Sequence, residues 1–274
     1  MKHHDIVILP TFSRPEMLWF CLERLSACPE VRGMEIRVCV DNHDAIRIFP
    51  QRDEIAQVLA RFASLPIVQV WRPQHPYQGN TFNVMEAYRE AYETDCEFVY
   101  LIEDDVAVSP DFFAWHKTAQ ASGHCFCSIA WKCLHGQVMV GDFARSRFYA
   151  SIGVCFRRQE LAFIVRHSNS EYYANMNTYL RKVFPDRGDA YTEQDGLIER
   201  LMQVHHKEAV FASTPKCAHI GWYGYHRENC PRPAGSLQER YEIVKAVAEN
   251  PEKMKAFSRG VVDVDSVEGI MVSQ

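Results

Sequence analysis

Phe98-Val99-Tyr100-Leu101-Ile102-Glu103-Asp104-Asp105-Val106, followed by Ser109-Pro110-Asp111-Phe112-Phe113, is the stretch on which the reading of this chain turns. An apolar run of this length reads as a buried strand. It stops abruptly at three consecutive acids. Carboxylates at the end of a buried strand are costly without a compensating positive charge. A hard divalent cation carrying a diphosphate supplies such a charge. In open α/β sheets, ligands gather at the carboxyl ends of the strands. The same segment also suits a plain helix start, with Ser109 as N-cap, Pro110 at the first helical position and Asp111 near the positive helix end.

Reading outward, the preceding residues alternate between strand and helix patterns. Asp5–Leu9, Glu35–Val40 and Ile67–Trp71 read as strands, with Phe98–Ile102 as the fourth. Ser13-Arg14-Pro15-Glu16 has the spacing of a capping box and predicts a helix to about Ala27. Ile55, Val58, Leu59 and Phe62 give helical spacing over Gln51–Ala63, and Val84, Ala87, Tyr88 and Ala91 do so over Gly79–Tyr92. This order predicts an α/β fold, a mostly parallel sheet with helices on both faces.

The second half is less regular. Cys125–Trp131, Gln137–Val140, Arg147–Arg157 and Ala209–Ser213 read as strands. Gln159–Arg166, Glu171–Val183, Gln194–Val204 and Ser236–Glu249 read as helices. Pro215–Gly235 is rich in Pro, Gly, Tyr and His and reads as a long functional loop. The expected organisation is a regular half, 1–120, and an irregular half, 121–274. The second half carries the closing loop 215–235 and a C-terminal helix, all within one continuous domain.

Composition narrows the class. The chain has 274 residues, 47% of them apolar and 24% charged, as in ordinary globular proteins. A net charge of −5 does not draw the molecule to nucleic acid or anionic membrane. The arginine pairs Arg145/Arg147, Arg157/Arg158 and Arg227/Arg232 leave local anion contacts open. Cys39, Cys127 and Cys155 lie in apolar runs and read as buried, reduced thiols, which favours a cytoplasmic setting. No run has membrane-spanning length, and no signal-peptide core is present.

Three further motifs carry chemistry. Asp41-Asn42 follows the second strand, where a carboxylate can accept from ribose hydroxyls; an Asp-Asn turn is the alternative. His219-Ile220-Gly221-Trp222-Tyr223-Gly224-Tyr225-His226-Arg227 offers His219 as a metal ligand, glycines for close backbone approach and Arg227 as a phosphate clamp. His226 reads as structural. Thr192-Glu193-Gln194-Asp195-Gly196-Leu197-Ile198 opens an amphipathic helix with an acid that can act as a general base or simply as a cap. Gln78-Gly79-Asn80-Thr81, at another helix start, either faces an anionic ligand or begins the helix and nothing more.

Taken together, these residues resemble a GT-A-fold glycosyltransferase. Thr11-Phe12-Ser13-Arg14-Pro15 resembles the nucleotide-entry loop of the large inverting family. Glu103-Asp104-Asp105 with the Ser-Pro-Asp-Phe-Phe segment resembles the acidic motif of N-acetylglucosaminyltransferase I and its relatives. Glu193-Gln194-Asp195 resembles the later acidic motif, and His219 the histidine that completes metal coordination. The resemblance implies a metal-dependent inverting transferase. Asp105, His219 and Glu103 would hold or support Mn²⁺ or Mg²⁺. Thr11, Arg14, Asp41, Asp104 and Arg227 would hold the donor, and Asp195 would act as base. The implied donor is a nucleoside-diphosphate sugar, a UDP-sugar first. The implied acceptor is a carbohydrate or small molecule, with a modified DNA base as a further class. Gln194 departs from the family, in which an acid is common. The Gln-x-x-Arg-Trp motif of processive synthases is absent. A GT-A-like nucleotidyltransferase and a non-catalytic sugar- or nucleotide-binding module remain as alternatives.

Overall fold

The computed structural model describes residues 4–41, 51–72, 79–123, 125–132, 138–185, 193–223 and 232–250. Asn42, Gln78, Thr192, His226, Arg227 and the tail beyond Asn250 lie outside the described residues.

The first seven elements follow the expected order. They are β1 (Ile6–Thr11), α1 (Pro15–Ser26), β2 (Glu35–Val40), α2 (Arg52–Arg61), β3 (Ile67–Trp71), α3 (Asn80–Tyr92) and β4 (Phe98–Leu101). β1, all six of whose residues are buried, pairs in parallel with β2 on one side and β4 on the other, and β2 pairs in parallel with β3. A strand covered on both faces must be apolar at every position, which is why IVIL carries no polar alternation. Successive side chains then serve different cores. Val7 and Leu9 pack with α1, α2 and α9 (Leu237–Ala248) on one face, while Ile6 and Ile8 pack with α3 and α8 (Gln194–Val204) on the other. Each such side chain is worth roughly 1.5–3 kcal/mol of burial.

Beyond β4 come β5 (Val106–Val108), α4 (Phe112–Ala121), β6 (Cys127–Ile129), β7 (Val138–Val140), β8 (Phe143–Ser146) and β9 (Val154–Arg157). Then follow α5 (Leu161–Val165), α6 (Ser170–Ala174), α7 (Met176–Val183), α8, β10 (Ala209–Ala212), β11 (Cys217–His219) and α9. Among the described residues the main sheet has nine strands in the order β3-β2-β1-β4-β9-β6-β10-β8-β7. β9 is antiparallel to both β4 and β6, and β8 to both β10 and β7, so the remaining seven strands share one direction. The expected mostly parallel sheet with helices on both faces is present.

Several local expectations fail for identifiable reasons. Ser13 does not cap α1: Arg14 is the N-cap residue, with no side-chain cap bond. Glu16, expected to complete the box, is drawn instead into a buried ion cluster from the far end of the chain. Ser109 is not the N-cap of α4 either. Asp111 holds that position, and the Ser109 hydroxyl donates to its carboxylate at 2.6 Å. Of Arg147–Arg157 only Val154–Arg157 is strand, and the strand before it is Phe143–Ser146. Glu171–Val183 breaks into two helices at Asn175, whose side chain caps the second by accepting from Thr178 N–H at 2.9 Å. The segment read as the loop Pro215–Gly235 contains β11, which pairs antiparallel with β5. Ser236 does build the full capping box with Glu239 at the start of α9.

The eight described cysteines are free and buried. Among the described residues, no helix is long and apolar enough to cross a membrane.

Candidate functional site

Parallel strands bring their carboxyl ends to one edge. β1 ends at Thr11, β2 runs into Asp41, and β4 runs through Ile102 into Glu103-Asp104-Asp105. Asp41 N–H donates to Thr11 C=O at 3.0 Å, and Ile102 N–H to Ile8 C=O at 3.0 Å, so ladder bonding continues to the rim. A turn from Val106 N–H to Glu103 C=O then folds the chain into β5. β11 lies against β5 with His219 opposite Val106. That pairing carries the distant histidine to the acids.

Asp104 and Asp105 are buried, Glu103 is half-buried, and the three are unequally partnered. Asp104 is 2% exposed and accepts from the Thr11 hydroxyl at 2.7 Å and from Arg14 Nη2 at 2.5 Å. Asp105 is 6% exposed; its Oδ2 accepts from Arg14 Nη1 at 2.7 Å and lies 3.4 Å from His219 Nε2. Its Oδ1 is buried and has no hydrogen-bond partner among the described residues. Arg14 Nη1 also donates to Tyr223 C=O at 3.2 Å. Glu103 accepts from the Asn80 amide at 2.9 Å, at the start of α3.

The charges follow from this geometry. Burial and the neighbouring Asp105 and Asp195 push Glu103 up to about 8. Burial pushes Asp104 up to about 6 against the pull of Arg14. For Asp105 burial also works upward, but Arg14 and then His219 overcome it and hold the carboxyl well below its usual range. His219 is raised, because Asp105 outweighs the burial that would discharge the ring. Part of the positive charge demanded by the acidic run is therefore present in the chain, on Arg14.

Gly221 fixes the approach of the loop. A Cβ there would lie 2.2 Å from Asp105 Oδ2, so any other side chain would displace the carboxylate. Ile220 N–H donates to Asp105 C=O at 2.8 Å, which pins the two segments together.

Asp195 sits in the first turn of α8. Its Oδ2 accepts from the Ser151 hydroxyl at 3.1 Å, while Oδ1 is buried with no partner among the described residues. Burial pushes its pKa up to about 6. The preceding Gln194 is buried and its Oε1 accepts from the Thr81 hydroxyl at 2.6 Å. That bond ties the N-terminus of α8 to that of α3. An amide fits this place because it accepts without adding a further charge to the acids nearby.

Thr11, Arg14, Asp41, Glu103, Asp104, Asp105, His219 and Asp195 are thus gathered along one edge, while Arg227 lies outside the described residues. Sequence reasoning missed Tyr223 C=O, Ser151 and the Thr81–Gln194 bond. None carries a local signal, since a backbone carbonyl and a serine in an apolar run look the same everywhere.

Among the described residues, no three His, Cys, Asp or Glu side chains converge as a metal cage. Asp105, with its unpartnered Oδ1, and His219, 3.4 Å from Oδ2, fit a divalent cation that takes the rest of its shell from substrate oxygens.

No protein-family model matches the sequence, and no curated protein does. Solved structures match by shape. S. aureus TarS 1-349 in complex with UDP-GlcNAc superposes with a TM-score of 0.53 at 12% identity, covering 94% of this chain and 71% of that one. The galactosyltransferase LgtC in complex with donor and acceptor sugar analogs gives 0.51 at 12% identity, covering 92% and 99%. CMP:2-keto-3-deoxy-manno-octonic acid synthetase complexed with CTP gives 0.48 at 11% identity, covering 89% and 99%, too loose a match to weigh. The chain has the GT-A fold, the fold of the first two structures; at these identities the likeness is one of fold.

Proposed function

We propose that this chain is a glycosyltransferase that moves a sugar from a nucleoside-diphosphate donor to an acceptor hydroxyl, with inversion and with Mn²⁺ or Mg²⁺ as cofactor. The observation that carries the reading is the Asp105 carboxylate at the carboxyl edge of a GT-A sheet, with Oδ1 buried and unpartnered among the described residues and Oδ2 3.4 Å from His219 Nε2.

Asp105 and His219 would hold the cation, with Glu103 behind them. When bound, the cation offsets the charge that grows on the departing diphosphate. Asp104, already fixed by Thr11 and Arg14, orients the ribose or sugar. Asp41, at the end of β2, faces the nucleoside. Asp195 removes the acceptor proton through its free Oδ1 while Ser151 holds Oδ2. Attack from the face opposite the leaving group gives inversion. Arg227 is assigned to the diphosphate, and residues 1–120 and 121–274 to the donor and acceptor sides.

A UDP-sugar is the first donor to test and a carbohydrate or small molecule the first acceptor class. The decisive assay is release of nucleoside diphosphate from a panel of UDP-, GDP- and CDP-sugars, with Mn²⁺ and with chelator. Metal-dependent release that Asp105→Ala abolishes supports transfer. Binding without turnover would make the chain a sugar-nucleotide-binding module. Pyrophosphate release from a nucleoside triphosphate would make it a nucleotidyltransferase.

A further inference from the structure

We infer that Arg14 is an internal counter-ion that competes with the divalent cation for Asp105, so that cation uptake waits on the diphosphate of the donor. This rests on the functional reading above and deepens it. The guanidinium lies between Asp104 and Asp105, 2.5 Å from one carboxylate and 2.7 Å from the other. It is fixed from a third side by Tyr223 C=O at 3.2 Å. An arginine cannot discharge to make room, and its fork matches two carboxylate oxygens at once.

In this state Asp105 Oδ2 is taken and only Oδ1 is open. A divalent cation bound at Oδ1 would stand beside a fixed positive charge in a buried setting, where repulsion is weakly screened. A diphosphate changes the sign of that balance. Its oxygens attract the cation, and they are also the preferred partner of a guanidinium. Arg14 can then turn toward phosphate and release Asp105. Its side chain is 21% exposed, so it has room to move that the acids, at 3% and 8%, do not. Cation and diphosphate therefore bind as a pair, and the free protein takes up little of either cation or metal-free nucleotide.

Calorimetric titration of Mn²⁺, alone and with UDP, GDP or CDP, tests this on the full chain. In the wild type, Mn²⁺ alone binds weakly and a nucleotide tightens it at least tenfold. Arg14→Met binds Mn²⁺ alone at least tenfold more tightly than the wild type, and the nucleotide adds correspondingly less. Arg14→Lys, which keeps the charge, stays within threefold of the wild type for Mn²⁺ alone. Nucleotide-dependent uptake in the wild type with no gain in Arg14→Met, or a gain shared by Arg14→Lys, overturns the inference and leaves the functional reading standing. Uptake by the wild type with none of the three nucleotides overturns that reading and the inference with it. A measurement on the wild type covers the case in which Arg14→Met fails to fold. The ¹⁵N signals of the Arg14 guanidinium should move with Mg²⁺ plus the nucleotide that promotes uptake and stay put with Mg²⁺ alone; signals unmoved by both together overturn the inference.

Discussion

Two buried ion clusters grow from the first turn of α1, and they are built to opposite rules. At Glu16 the carboxylate is fully enclosed and every side is met. Tyr223 donates its hydroxyl to it, Arg232 donates from Nε at 2.9 Å and from Nη2 at 3.0 Å, and Arg240 Nε lies 3.3 Å away. Glu54 takes Arg240 Nη2 at 2.7 Å, so two acids meet two arginines. At Arg14 the balance is lost: one guanidinium serves two carboxylates, with Asp195 near enough to raise the pKa of Glu103. The first cluster balances acid against arginine, although Arg240 Nε makes no hydrogen bond among the described residues, and it holds α1, α2 and α9 together. The second keeps an excess of negative charge and an open oxygen. A molecule tolerates that only where something else binds.

Substitutions should separate the two. Asp105→Ala should lower kcat/KM for sugar transfer by about 10³-fold or more, and should cost less stability than Glu16→Ala because Arg14 keeps Asp104 as a partner. Steady-state kinetics and calorimetric melts check both halves. Glu16→Ala should do the reverse first: it strands Arg232 and Arg240 and should cost about 3–5 kcal/mol in urea unfolding. A fully stable Glu16→Ala protein would erase the distinction drawn between the clusters.

Asp195→Asn should lower kcat about 10²-fold and leave the Kd for the donor unchanged, as read by calorimetry with a sugar nucleotide. Gly221→Ala should weaken Mn²⁺ uptake in the presence of nucleotide by about tenfold, because the added methyl meets the Asp105 carboxylate. Unchanged Mn²⁺ affinity in that variant would mean the loop gives way instead.

Acid titration sharpens the comparison further. Asp195 is raised to about 6 by burial, so the native state binds its proton before the unfolded chain does. Its ionisation therefore costs stability above pH 6, and protonation restores it on acidification. Asp195→Asn should be more stable than the wild type at pH 8, and the gap should close as pH falls from about 6 toward 4. As a base, Asp195 also requires kcat to rise through about pH 6 and then level off. Glu16 behaves oppositely. Burial works upward, but the bonds from Arg232 and Tyr223 prevail and hold its pKa low. The stability it contributes is present above the ordinary carboxylate pKa and is lost only as pH falls through the lower, folded value. Urea melts across this range check both signs.

Local pattern carried the parallel half of the sheet. Glu35–Val40 and Gln194–Val204 coincide with β2 and α8 because alternating burial along a strand, or burial of one helical stripe, leaves a period that the sequence displays. The failures share a cause. Ser13-x-x-Glu16 has the local form of a cap, yet Glu16 answers to Arg232 and Arg240, more than 200 residues away. Three-residue strands such as β11 are too short to show a period, and their pairing partner decides them. The site was legible as a set of acids and a histidine. What was not legible was Arg14's grip on two of those acids, which arises because β1 and β4 are neighbours in the sheet. The acidic run demands positive charge; a side chain from the adjacent strand's loop meets part of that demand.

Tyr223 touches both clusters: its hydroxyl ends in the pocket of Glu16 and its carbonyl supports Arg14. A single residue, through its main chain and its ring, thus mechanically joins a scaffold knot to a chemical one. Effects of altering Glu16 and Arg14 should fail to add, although the two side chains share no bond. Evolution of tighter scaffolding in this fold would have to retune its chemistry in the same step.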